Sequence, residues 1–251
     1  MYIQECSEII NNNPHIAQDT LYEAVVGSRA LGCSTQSSDY DVINIFMPTQ
    51  EFLYPQNYGY INGFDRQDEI SIREITFTYK NNAVDLCCCS LCEFFIQAGI
   101  KCTPYMIEGL FVEDKYITTI TDIGAELRKN SSLFLSQKIY QSNMKYISEL
   151  KQQLRINYLQ GYEAKTAYKI LRLMDILYQI LDEGAVELSL NKEEYLQIKK
   201  EGLSLSDFNK RYDDRKISVE KLLGSSSLKK EPSINNLRSL LYKMIIEYYN
   251  L

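Results

Sequence analysis

At 251 residues the chain could form one large domain or two modest ones, and either can bury a proper core. Hydrophobic content of 45% and charge of 24% are ordinary for a soluble protein, and no apolar run approaches the roughly 18 residues of a membrane-spanning helix. Met1 to Glu5 has neither the basic nor the apolar region of a signal peptide, so a cytoplasmic protein is expected. Its net charge of −6 is uneven: residues 1–115 hold 6 basic against 16 acidic side chains, residues 116–251 hold 21 against 17.

Residues 2–13 mix apolar and polar positions as a short helix does, and Asn11-Asn12-Asn13-Pro14 ends it. A buried strand follows over 21–27, broken by Gly27-Ser28. Glycine lets backbone approach a bound group closely, and Ser28 adds a hydroxyl and an N–H. Successive N–H groups at such a turn form a concave site suited to phosphate. A short helix over 29–33 and a polar loop over 34–38 lead to Asp39-Tyr40-Asp41. Side chains on a strand alternate, so Asp39 and Asp41 share a face, with Cα atoms about 6.5–7 Å apart. Two carboxylates so placed suit one or two hard divalent ions with a triphosphate between them.

The second strand covers 40–47 and stops at Pro48, and 50–68 reads as an ordered loop over a site. Strand 70–79 and the turn Lys80-Asn81-Asn82 lead to a strand that opens Ala83-Val84-Asp85-Leu86-Cys87. An acidic residue inside an apolar strand asks for a partner. Cys87, Cys88, Cys89 and Cys92 lie on alternating faces, no Cys-x-x-Cys pair is answered by a second, and His15 is the only histidine. Reduced thiols packed as small apolar residues are therefore expected in place of zinc ligands. Ser90 caps a helix over 91–99, and Thr103-Pro104 opens another towards Leu110, with Glu108 structural. From about 119 the pattern is helical: 119–128, 132–158, 163–182, 192–201, 205–222 and 233–249. In 163–182, Lys165, Lys169 and Arg172 recur at i, i+4, i+7 on one face, which is useful if a polyphosphate sits among them. Residues 224–233 read as a linker.

Gly27-Ser28, a loop and Asp39-x-Asp41 resemble the signature of the DNA polymerase β-like nucleotidyltransferase superfamily. Gly27, Ser28, Arg29, Ala30, Gly32, Ser38, Asp39, Tyr40 and Asp41 match, position by position, a branch grouped with an RNA-repair polymerase-β-like family. The resemblance implies that Asp85 is a third carboxylate beside Asp39 and Asp41, and that the three are catalytic and hold Mg²⁺ or Mn²⁺. It implies that Gly27, Ser28, Arg29 and Ser38 meet the nucleotide. The branch carries Lys-x-x-x-His-x-x-Arg further on; this chain has Lys165 and Arg172, with Lys169 in place of the histidine. A lysine holds phosphate as a point charge but does not shuttle protons near neutral pH.

These readings predict an α+β protein: a mixed sheet flanked by helices in a catalytic domain over 1–115, then an α-helical domain over 116–251. The expected reaction moves a nucleoside monophosphate from an NTP to an acceptor hydroxyl, releasing pyrophosphate. RNA or tRNA, a protein hydroxyl and a small molecule all stay open as acceptor, as does a non-catalytic nucleotide sensor. Arg172 is expected to grip two phosphate oxygens, so that reversing its charge weakens nucleotide binding about tenfold with little change in melting temperature.

Overall fold

The computed structural model describes residues 1–54, 57, 72–160 and 164–251. In chain order its elements are α1 (Ser7–Asn12), α2 (Pro14–Gln18), β1 (Thr20–Val26), α3 (Gly27–Ala30), β2 (Tyr40–Phe46), α4 (Gln50–Leu53), β3 (Ile72–Tyr79) and β4 (Asn82–Ser90). Then come α5 (Leu91–Phe94), continued by a wider π turn over Phe95–Ile100, α6 (Pro104–Glu108), β5 (Ile117–Ile120) and α7 (Asp122–Lys129). Five helices complete the chain: α8 (Lys138–Gln160), α9 (Ala164–Glu183), α10 (Lys192–Glu201), α11 (Leu205–Ser225) and α12 (Ile234–Tyr249).

The strands form one mixed sheet in the order β3-β4-β2-β1-β5, in which only β2 and β4 run parallel. Alternation sorts its side chains into two layers. Val42, Phe46, Val84, Leu86 and Cys88 face a layer built from Ile3, Cys6, Ile9 and Ile16 of the N-terminal segment. Ile43, Ile45, Cys87 and Cys89 face the opposite way, into a continuous core shared with α8 to α12. The cysteines thus fill both layers as free thiols. Burial pushes the Cys87 thiol up to about 11, which keeps it protonated and inert.

Two local features depart from the expectation. Residues 117–120 form an edge strand against β1, and the helix begins only at Asp122, capped by the Thr121 hydroxyl. Ile117 and Ile120 fit a helical period of three, but Thr118 and Thr119 between them favour extended backbone. This strand lies just past residue 115, where the sequence placed a division, and belongs to the sheet. Asn13-Pro14 ends one short helix and at once starts another, α2, with Pro14 in its first turn. Most of the loop expected over 50–68 lies outside the described residues. Among the described residues, no helix is long and apolar enough to cross a membrane.

Glu23, in the middle of β1, is fully buried. Its carboxylate accepts the backbone N–H of Tyr2 at 2.6 Å and of Ile3 at 2.8 Å, and the Thr118 hydroxyl. Four groups, with Asn44 included, thus converge on one buried carboxyl group.

Candidate active site

The parallel pairing of β2 with β4 sets Asp41 directly beside Asp85, in register. Asp39 precedes β2 by one residue and points to the same side. One carboxylate oxygen from each of Asp39, Asp41 and Asp85 lies within 4.8 Å of the other two. Asp39 and Asp41 are half-buried and Asp85 is exposed. The Thr76 hydroxyl on β3 donates to Asp85 at 2.6 Å and orients it. Burial, then the charges of Asp39 and Asp85, hold Asp41 above the usual carboxylate range. Three oxygen donors at this spacing fit a hard divalent cation, and a cation would relieve their repulsion.

Gly27 makes room for this arrangement. Its φ is +61°, and a Cβ there would stand 2.0 Å from Asp41 Oδ2. Any side chain would drive the carboxylate out of the cluster. The Gly27-Ser28 turn and the acidic pair are therefore one packing unit, although 13 residues separate Gly27 from Asp41.

Arg29 and Ser38 build the loop that delivers Asp39. The Arg29 guanidinium donates from Nε to the Asp39 carbonyl at 3.0 Å and from Nη2 to the Ser38 carbonyl, and it stacks 3.5 Å from the Tyr40 ring centroid. The Ser38 hydroxyl accepts the Thr35 N–H at 2.8 Å. Both residues are committed to backbone contacts on the way to the acidic cluster.

The cluster opens into a cavity of about 900 Å³ between the sheet and the helical half. Gly27, Ser28, Asp39, Asp41 and Asp85 line one wall, and Lys165, Lys169 and Arg172 of α9 line the other. Lys165 Nζ stands 3.9 Å from Asp39 Oδ2. Lys169 lies 5.3 Å from the Tyr146 ring centroid. Arg172 is spent differently: Nη1 and Nη2 each reach a Glu108 carboxylate oxygen at 3.2 Å, with side chains 9% and 3% exposed. Its Nε is buried with no hydrogen-bond acceptor among the described residues. Burial pushes the Glu108 carboxyl up, and Arg172 and Lys169 pull against it. The spacing i, i+4, i+7 placed three cations on one face correctly, but it could not show that this face meets α6.

Sequence reasoning passed over Tyr105, Tyr146, Tyr168 and Lys199, which also line the cavity. Tyr105 donates to or accepts from Cys87 Sγ at 3.2 Å. All four sit on apolar helical stripes or on exposed faces, where nothing in the pattern separates a cavity wall from ordinary packing.

A mixed sheet with two carboxylates in register, a third just ahead of β2 and a Gly-Ser turn beside them defines a nucleotidyltransferase-like protein. The profile of the RNA repair pathway DNA polymerase beta family matches residues 2–186, and the chain belongs to that family. A nucleotidyltransferase-like protein from Exiguobacterium sibiricum is similar over 98% of this chain and 80% of its own, with 12% identity and a TM-score of 0.34. No curated protein matches the chain significantly.

Proposed function

We propose that the protein is a metal-dependent nucleotidyltransferase that moves a nucleoside monophosphate from an NTP to a hydroxyl of RNA. The observation that carries this reading is the convergence of Asp39, Asp41 and Asp85 within 4.8 Å at the rim of a nucleotide-sized cavity. Membership of an RNA repair family supports RNA as the acceptor.

Asp39, Asp41 and Asp85 would hold Mg²⁺ or Mn²⁺, which when bound supplies charge to the transferring phosphoryl group and lowers the pKa of an attacking hydroxyl. Asp85, the most exposed of the three, faces the acceptor side and takes up the hydroxyl proton. Gly27 and Ser28 present backbone N–H groups and a hydroxyl to the phosphates. Lys165 and Lys169 face the same phosphates from α9. The acceptor oxygen forms its bond to the α-phosphorus as the α–β phosphoanhydride bond breaks, and pyrophosphate leaves with that electron pair. Positioning and charge supply most of the rate, as in phosphoryl transfer generally.

Incubation with each α-labelled NTP, Mg²⁺ and separate pools of tRNA, total RNA, protein and small hydroxylated metabolites tests the reading. Label in an RNA pool with release of one pyrophosphate per transfer is expected. Label confined to protein or small molecules overturns the acceptor, and no transfer to any pool overturns the activity.

A further inference from the structure

We propose that Lys199 of α10 is a further phosphate-binding lysine, which together with Lys165 grips the pyrophosphate end of the nucleotide. This inference rests on the nucleotidyl-transfer reading for its ligand. The residue lies beyond the stretch matched by the family profile, so the match says nothing about it.

Lys199 does not reach the cavity by chance. Helix α10 is fixed by Arg215 of α11, which bridges Glu194 on α10 and Asp175 on α9 at 2.7 Å each. The Tyr195 hydroxyl adds a bond to Asp175 at 2.6 Å. Near its start, the Lys192 side chain packs on Gly32, whose φ of +69° turns the chain towards the acidic loop. So anchored, α10 aims Lys199 past the ring of Tyr168, 4.7 Å from its centroid, to Cys33. Its Nζ donates to the Cys33 carbonyl at 2.9 Å. An ammonium carries three donors, and this bond uses one.

The electrostatic setting points to an anion. Partial burial disfavours the charge on Lys199 most; Cys33 favours it, Lys165 disfavours it, and Asp39 and Asp41 favour it in turn. Among the described residues, Lys199 has no carboxylate within ion-pair distance. Two ammonium groups from different helices thus line one cavity, with Asp39 and Asp41 as the acidic groups that favour the charge on Lys199. Once a cation occupies those carboxylates, that counter-charge is neutralised, and a bound polyphosphate restores it. Cys33 is in turn tied to the turn by its N–H, which donates to the Ser28 carbonyl at 3.0 Å, and Lys199 lines the same cavity as Gly27 and Ser28.

The test compares wild type with Lys199→Gln and Lys199→Arg, by calorimetry in Mg²⁺, using inorganic pyrophosphate and AMP as separate probes. Lys199→Gln is expected to weaken pyrophosphate binding about tenfold or more and to leave AMP binding and melting temperature nearly unchanged. Lys199→Arg is expected to restore at least part of the loss. Unchanged pyrophosphate affinity in Lys199→Gln overturns the proposal. So does an equal loss for pyrophosphate and AMP, which marks a merely structural lysine, and so does wild type that binds no pyrophosphate. A selective loss of pyrophosphate binding in a protein that transfers nothing leaves the anion site standing and removes only the transferase reading.

Discussion

Asp41→Asn is expected to lower nucleotide turnover by at least about two orders of magnitude while raising the melting temperature of the metal-free protein by about 2–4 °C. The two effects share one cause. Asp41 stands within 4.8 Å of two other carboxylates and against the backbone of Gly27, half-buried. Burial and both neighbours make its ionised form costly. Asparagine keeps the shape, removes one negative charge and can donate to Asp39 or Asp85. Relief of repulsion on the order of 1 kcal/mol is enough for the shift in a chain this size. The same change would delete one ligand of the cation that the proposed reaction needs. Initial rates and thermal melts in chelator check both halves. A variant that melts lower, or one that keeps its turnover, shows that the three acids are not assembled as a cation site. Adding Mg²⁺ should stabilise wild type more than Asp41→Asn.

The second large effect is on the fold. Arg172→Glu should destabilise the protein by about 3–5 kcal/mol and lower its melting temperature by roughly 10 °C or more. The substitution sets a second carboxylate against Glu108 at a place where both side chains are less than a tenth exposed. Read from the helix spacing alone, this arginine faces a phosphate and can be reversed at little cost to stability. The pair with Glu108, 64 residues away, changes that expectation. Losing one partner of a buried pair costs more than the pair contributes, because the other charge is stranded. The double variant Arg172→Met with Glu108→Met should therefore recover much of the stability, and a double-mutant cycle by thermal melting reads this directly. A single Arg172→Glu variant that melts like wild type would place the guanidinium in solvent.

Much of the site was legible because it is written locally. An apolar strand broken by Gly27-Ser28, then Asp39-x-Asp41 at the head of a second apolar strand, fixes its own geometry through alternation. Asp85 stood out as the acidic residue in an apolar strand, and pairing of β2 with β4 sets it beside Asp41. The long helices were legible for the same reason: α10 spans 192–201 and α12 spans 234–249, close to where their apolar periods run. What sequence could not carry is which distant groups meet. Glu23 looks like an interruption of β1 until Tyr2, Ile3 and Thr118 are seen to converge on it. Lys199 looks like one lysine among many on an exposed helix, and only the packing of α10 shows what it reaches. β5 was hidden because isoleucines three apart fit a helical period and not a strand's period of two, and its pairing with β1 decides the matter.

Glu23 has a consequence for the first residues of the chain. Terminal amides ordinarily exchange their hydrogens with solvent within moments, because nothing holds them. Here the N–H groups of Tyr2 and Ile3 are two of the four donors to a carboxyl group with no exposure at all. Peeling the segment away takes two of the four donors from a fully buried carboxyl group at once, which sets its opening apart from gradual fraying. These two amides inherit the protection of the central strand they serve, and in hydrogen-exchange terms residue 2 belongs to the middle of the protein.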